Sequence, residues 1–165
     1  MASLLRQADR LAADKEWSAA VERYDQALAL LPAGHNAEAR RIRLERAKAQ
    51  MLAKKLPEAH ADLKALVAEL EGDAKADTSM LENARHALAS SQYYMTWLMR
   101  LEGLPADVWE PEVESARQNY RLLAEKAELA GNGAAAQKYR EDLEATVRLA
   151  RMDLSDLQGL PLPSQ

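Results

Sequence analysis

The feature that most limits how this chain can fold is a recurring spacing of three, four and three residues, with alanine in second place. The first copy consists of Trp17, Ala20, Tyr24 and Ala27. Steps of three and four residues place side chains on one face of an α-helix. A small residue on that face lets a second helix approach closely, and larger residues fill the space beside it. The spacing therefore predicts helices that pack tightly against one another.

Two further segments repeat this spacing. They are Leu56, Ala59, Leu63 and Leu66, and then Val113, Ala116, Tyr120 and Leu123. One such set is typical of any amphipathic helix. An alanine at the same place in three sets is more informative, because alanine marks the point where two helix backbones come nearest. We therefore expect Ala20, Ala59 and Ala116 to lie against the preceding helix.

Composition extends the helical prediction to most of the chain. Ala, Leu, Glu and Arg favour helices and are abundant, whereas Phe is absent and β-branched residues are scarce. The predicted helices cover residues 3–13, 17–31, 37–54, 57–70, 79–102, 111–130 and 134–152. We predict an all-α fold of about seven helices that forms one domain over residues 1–152. An extended or disordered tail is predicted for residues 153–165.

Several residues predict where individual helices begin and end. Ser3 is a candidate N-cap of the first helix, and Ser79 with Glu82 matches a capping box for the fifth. Pro111 suits the first position of the sixth helix. Gly131 predicts a stop, because glycine tolerates the left-handed conformation that ends many helices.

Charge and composition argue against several functional classes. The net charge of −4 gives no drive toward nucleic acid or an anionic membrane, and the absence of cysteine excludes thiol chemistry and thiolate metal sites. His35, His60 and His86 are scattered without the repeated Glu-x-x-His pairs of a bundle metal site. There is no phosphate-binding glycine loop and no HExxH motif. We therefore expect a non-enzyme without metal or cofactor. A cytoplasmic location is the simplest interpretation, since no leader or membrane span is evident.

Residues 1–32 resemble the tetratricopeptide repeat family, whose motif is a helix pair of about 34 residues. The matching positions are Leu4, Ala8, Leu11, Trp17, Ala20, Val21, Tyr24, Ala27, Leu28 and Pro32. Residues 37–70 match in part, through Ala47, Leu56, Ala59, Leu63 and Leu66, and residues 79–130 are divergent. The resemblance implies a right-handed stack of antiparallel helix hairpins, with the last helix as a cap. It also implies an adaptor that binds a peptide or helix of another protein on a concave face made by helices one, three and five.

Helix three is the first candidate binding surface. Its segment ARRIRLERAKAQ is basic, with Arg41 and Lys48 as the best candidates for partner contacts. Arginine side chains there could form a groove for an acidic peptide, because a guanidinium binds a carboxylate through two hydrogen bonds. The alternative is a solvated helix face whose charges pair with Glu38 and Glu45.

Helix five is the second candidate surface. Tyr93, Trp97 and Arg100 share one face, and a second apolar stripe follows Tyr94. One stripe could bind a partner or a second copy of the chain in a homodimer, since Tyr, Trp and Arg are enriched at interfaces. The alternative is a long helix enclosed by helices six and seven. Trp109 is predicted to close the loop before helix six.

Overall fold

Helices account for all regular structure in residues 1–158, the part of the chain that the computed structural model describes. The predicted all-α fold is confirmed. The elements are α1 (Ala2–Ala13), α2 (Trp17–Ala29), α3 (Asn36–Leu52), α4 (Leu56–Glu71), α5 (Thr78–Leu101), α6 (Ala106–Leu129), α7 (Gly133–Arg151) and α8 (Leu154–Leu157). None of the described helices combines the length and the low polarity needed to cross a bilayer.

The helices belong to two compact units that meet within α5. The first unit is Met1–Ser91, and the second begins at Gln92. In the first unit, α1 packs on α2, α2 on α3 and α3 on α4, and the first part of α5 adds Ala84 and Leu88 to the core formed by α3 and α4. In the second unit, α6 packs on α7. The predicted single domain over residues 1–152 stays a prediction.

The same type of turn connects the two helices in each of three hairpins, α1–α2, α3–α4 and α6–α7. Each turn has three residues, and its middle residue is left-handed: Lys15 and Lys54 at φ +62° and Gly131 at φ +71°. The amide that follows donates to the carbonyl five residues earlier, which satisfies an otherwise unpaired carbonyl at the helix end. These bonds are Glu16 N to Leu11 O at 2.8 Å, Lys55 N to Gln50 O at 2.9 Å and Asn132 N to Ala127 O at 2.8 Å. Gly131 thus ends α6 as predicted.

Two buried alanines flank each of these turns. One lies seven residues before the left-handed residue and the other five residues after it. The pairs are Ala8 with Ala20, Ala47 with Ala59, and Ala124 with Ala136, and all six side chains are at most 5% exposed. The third hairpin of this kind is therefore α6–α7, in which α6 is the first helix. The spacing that begins at Val113 instead predicts α6 as the second helix of a pair, equivalent to α2 and α4. Ala116 in α6 is also fully buried.

Three predicted helix starts differ from the structure. Helix α1 begins at Ala2, so Ser3 is inside it and is not the cap. The carboxylate that caps α5 belongs to Asp77, whose Oδ2 accepts from the Met80 amide at 2.9 Å. Asp77 directly precedes Thr78, the first residue of α5, and so occupies the N-cap position that Ser79 was expected to take.

Helix α6 begins five residues before Pro111. Pro105 precedes the helix with an extended backbone, at φ −67° and ψ 157°, and Pro111 lies in the second turn. Because proline has no N–H, it leaves one carbonyl of the first turn without its usual partner, but the helix continues through it.

The described chain after α7 has an extended backbone at Met152 and Asp153 and is then helical. Residues Leu154–Leu157 form the short helix α8, and Leu157 is fully buried beside Leu149 and Tyr93. Burial of Leu157 in this apolar core holds a helical turn where the sequence predicts an extended or disordered tail. The rest of the predicted tail, residues 159–165, lies outside the described residues.

Candidate functional site

Three arginines of α3 bind carboxylates of neighbouring helices. Arg40, Arg43 and Arg46 lie three residues apart, and their side chains are 14%, 27% and 19% exposed. The ion pairs are Arg40 with Glu69 and Asp73 (both 2.7 Å), Arg43 with Glu69 (2.5 Å), and Arg46 with Asp25 and Asp62 (both 2.7 Å). Asp25 belongs to α2, Asp62 and Glu69 to α4, and Asp73 to the loop after it. These contacts tie α3 to both of its neighbours.

The same contacts change the electrostatics of the predicted basic groove. Hydrogen bonds from Arg40 and Arg43 lower the pKa of the Glu69 carboxyl, and a hydrogen bond from Arg40 lowers that of Asp73. Three of the five basic side chains on α3 thus pair with carboxylates of α2, of α4 and of the loop after α4. The residue pattern of α3 alone does not indicate these partners.

The opposite side of α3 presents a line of alternating charges. It consists of Glu38, Arg41, Glu45 and Lys48, which we call the α3 stripe. Arg41 is 62% exposed and lies 3.5 Å from Glu38, and Lys48 binds Glu45 at 2.8 Å. Of the predicted binding residues, Arg41 and Lys48 are therefore on an accessible surface, where acidic and basic groups alternate.

A buried tyrosine joins α1, α2 and α3 beside the stripe. The Tyr24 hydroxyl donates to Asp9 Oδ1 at 2.8 Å. Burial raises the pKa of Tyr24, and so do its hydrogen bond to Asp9 and the charges of Asp9 and Glu45, whereas Arg41 opposes them. Asp9 itself is exposed. The candidate site is the α3 stripe together with Asp9 and the Tyr24 hydroxyl.

The predicted aromatic surface on α5 is part of a core in the second unit. Tyr93 is 9% exposed and packs with Leu149 and Leu157, and Trp97 is partly buried against the same cluster. Tyr94 meets Tyr93 edge to face, with ring centroids 5.7 Å apart. On this side of α5, residues of α7 and α8 bury most of Tyr93, whereas the enclosed-helix alternative had named helices six and seven. A partner contact of Tyr93 stays a prediction.

Arg100 also acts within the molecule. Its guanidinium donates to the carbonyl oxygens of Leu149 and Met152 at the C-terminal end of α7. It also lies 4.7 Å from the centre of the Trp109 ring, in a cation–π contact between α5 and α6. Arg100 therefore caps the C-terminal end of α7 and contacts Trp109, and its predicted partner contact stays a prediction.

The histidines do not form a metal site or a catalytic pair in the part of the chain that the structure describes. Within residues 1–158 there is no group of three His, Asp or Glu side chains that could bind a metal ion. His60 Nδ1 lies 3.2 Å from Ser91 Oγ, but the fully buried Ser91 hydroxyl donates to the Leu88 carbonyl at 2.7 Å. That geometry directs the Ser91 proton away from the histidine ring, so the pair is not arranged as a nucleophile and its base.

An open groove of about 560 Å³ lies along the end of α7. Leu143, Val147 and Met152 contribute apolar surface, and Arg148 and Arg151 are among the charged residues beside it. Glu144 and Asp156 are the other charged residues that line it, and because the groove is open it would enclose only part of a small ligand.

No family model matches this chain, and a search of curated proteins finds no match either. The candidate site offers exposed charges of both signs on α1 and α3, which suits ionic contacts with a polypeptide.

Proposed function

We propose that this protein is a non-catalytic scaffold of tetratricopeptide type that binds a peptide or helix of another protein. The observation that supports this most is the repeated hairpin, with a left-handed turn residue and two buried alanines twelve residues apart in α1–α2, α3–α4 and α6–α7. Repeat proteins bury such hairpins against one another and use the remaining helix faces as extended binding surfaces.

The proposed binding face comprises α1, α3 and the part of α5 in the first unit. Arg41 and Lys48 remain its main candidates, now joined by Asp9 and Glu45. Each exposed ion pair contributes about 0–1 kcal/mol, so several would have to act together with apolar contacts. The alternating signs favour a partner segment of mixed charge over a purely acidic one.

The proposal is tested by placing a photo-crosslinking amino acid at Arg41 or at Lys48 in the full chain. We expect irradiation of cells to join both positions to the same second protein. Arg117 on α6 is a suitable control, because it is similarly exposed and paired with a glutamate one turn away. Adducts that are the same at all three positions would contradict the proposed face, and adducts formed only with a second copy of this chain would contradict a separate partner.

A further inference from the structure

The charges of the α3 stripe are arranged antisymmetrically about its centre. Glu38 and Lys48 lie equally far from residue 43, and so do Arg41 and Glu45. The two members of each pair have opposite charges. A twofold axis perpendicular to the helix at this level would place a second α3 antiparallel to the first. Glu38 would then face Lys48 of the other copy, and Arg41 would face Glu45.

This arrangement is not a general property of charged helices in the chain. The exposed side of α6 has Glu114, Arg117, Arg121 and Glu125, with ion pairs Glu114–Arg117 at 2.6 Å and Arg121–Glu125 at 2.9 Å. Its charges are symmetric about the centre. A twofold axis there would place Glu114 against Glu125 and Arg117 against Arg121, so like charges would meet and repel. Of these two stripes, that on α3 alone is self-complementary.

We propose that the α3 stripe is a contact surface for a second copy of this chain. The inference does not depend on the proposed scaffold function, because it requires only the order of charges on α3 and their exposure. Four ion pairs would cross the twofold axis, two of each kind. The existing pairs within α3 are exposed, and that between Arg41 and Glu38 is long, at 3.5 Å, so these side chains can exchange partners.

The charge of the first unit permits two copies to approach. Met1–Ser91 has 14 basic and 14 acidic residues, whereas the chain from Gln92 onward has 8 basic and 12 acidic residues. The net charge of −4 therefore belongs to the second unit. Two first units meet without net repulsion, and the alternation on α3 then determines their relative direction.

Salt dependence is the first test of this contact. The screening length is about 30 Å at 0.01 M ionic strength and about 3 Å at 1 M, so exposed pairs weaken strongly over this range. Sedimentation equilibrium of the full chain should show a dimer of the 18.3 kDa protomer at low salt and a monomer at high salt. A chain that stays monomeric at low salt at every concentration would overturn the proposal, as would a dimer indifferent to salt.

Charge reversal is the second test. Arg41→Glu with Lys48→Glu makes the stripe wholly acidic, and Glu38→Lys with Glu45→Lys makes it wholly basic. Each variant should lose self-association, with a dissociation constant raised by about a hundredfold or more, and a mixture of the two should form a heterodimer. The control is Arg117→Glu with Arg121→Glu on α6, which changes the net charge as the acidic α3 variant does and should leave the dimer intact.

If a double variant does not fold, a quadruple variant tests whether the α3 stripe is the contact surface. It combines Glu38→Lys, Arg41→Glu, Glu45→Lys and Lys48→Glu. It keeps opposite charges within each neighbouring pair and restores antisymmetry with the signs exchanged. Recovery of the salt-sensitive dimer would support the twofold contact. A folded quadruple variant that remains monomeric, or an acidic variant that dimerises like the wild type, would show that another surface is responsible. Photo-crosslinking of the otherwise wild-type chain to a different protein tests the scaffold proposal separately from this contact.

Discussion

At the scale of single residues, two lysines occupy positions that favour glycine. Lys15 and Lys54 adopt φ +62° in hairpin turns where the third equivalent hairpin has Gly131. A left-handed backbone costs an ordinary L-residue about 1–2 kcal/mol. Both side chains are exposed. Two of the three turns therefore have a strained backbone, at exposed positions where burial does not favour lysine over glycine.

Replacing these lysines should increase stability. We expect Lys15→Gly and Lys54→Gly each to raise the free energy of unfolding by about 0.5–1 kcal/mol, because relief of strain exceeds the added entropy of the unfolded chain. Gly131→Ala should lower the free energy of unfolding by about 1 kcal/mol, because alanine is strained at this positive φ. A clash adds nothing to this cost, since an added Cβ would meet no atom within 4 Å beyond the adjacent residues. Urea denaturation measures all three. Lys64→Gly, on an exposed face within α4, is the control and should destabilise, and an equal loss at Lys15 would contradict the strain argument.

At the scale of the helices, the sequence predicts elements better than the contacts between them. The seven long helices follow from apolar spacing and from breaks such as Gly131, which depend on local residues alone. The partners of Arg40 could not be predicted, because they require knowing which faces of α3 and α4 meet. The burial of Tyr93 could not be predicted for a similar reason, because it depends on α7 and α8, which are distant in sequence.

The contacts of α3 with α4 should make stability depend on pH. Glu69 has a lowered pKa in the folded state, so its ion pairs contribute stability above its ordinary pKa of 4.5, and this is lost as pH falls through the lower folded value. Glu69→Gln should cost about 1 kcal/mol or less at pH 7, since the side chain is partly exposed. Its cost should shrink as pH falls below 4.5. Urea denaturation of both proteins across this range is the measurement. Glu22→Gln on α2, which removes none of these arginine contacts, is the control, and a cost that is constant with pH would contradict the assignment.

At the scale of the whole molecule, α5 is the element that both units share. Its first part supplies Ala84 and Leu88 to the core of the first unit, and its last part supplies Tyr93 and Trp97 to the core of the second. Helix formation is cooperative along a continuous segment. Loss of order in one unit should therefore reduce the stability of the other through the shared helix.

This coupling can be measured with tryptophan reporters. Trp17 lies in the first unit, and Trp97 and Trp109 lie in the second. Leu63→Ala removes a fully buried side chain from the first unit and should cost about 2–5 kcal/mol. In a Trp17→Phe background, tryptophan fluorescence reports on the second unit only. We expect its urea midpoint to fall as far as it does when Trp17 is the sole tryptophan. Leu30→Ala, at a position that is 62% exposed, is the control. The midpoint of the second unit could instead stay unchanged while that reported by Trp17 fell. The two units would then unfold separately, and α5 would lose its helical structure in one unit without lowering the stability of the other.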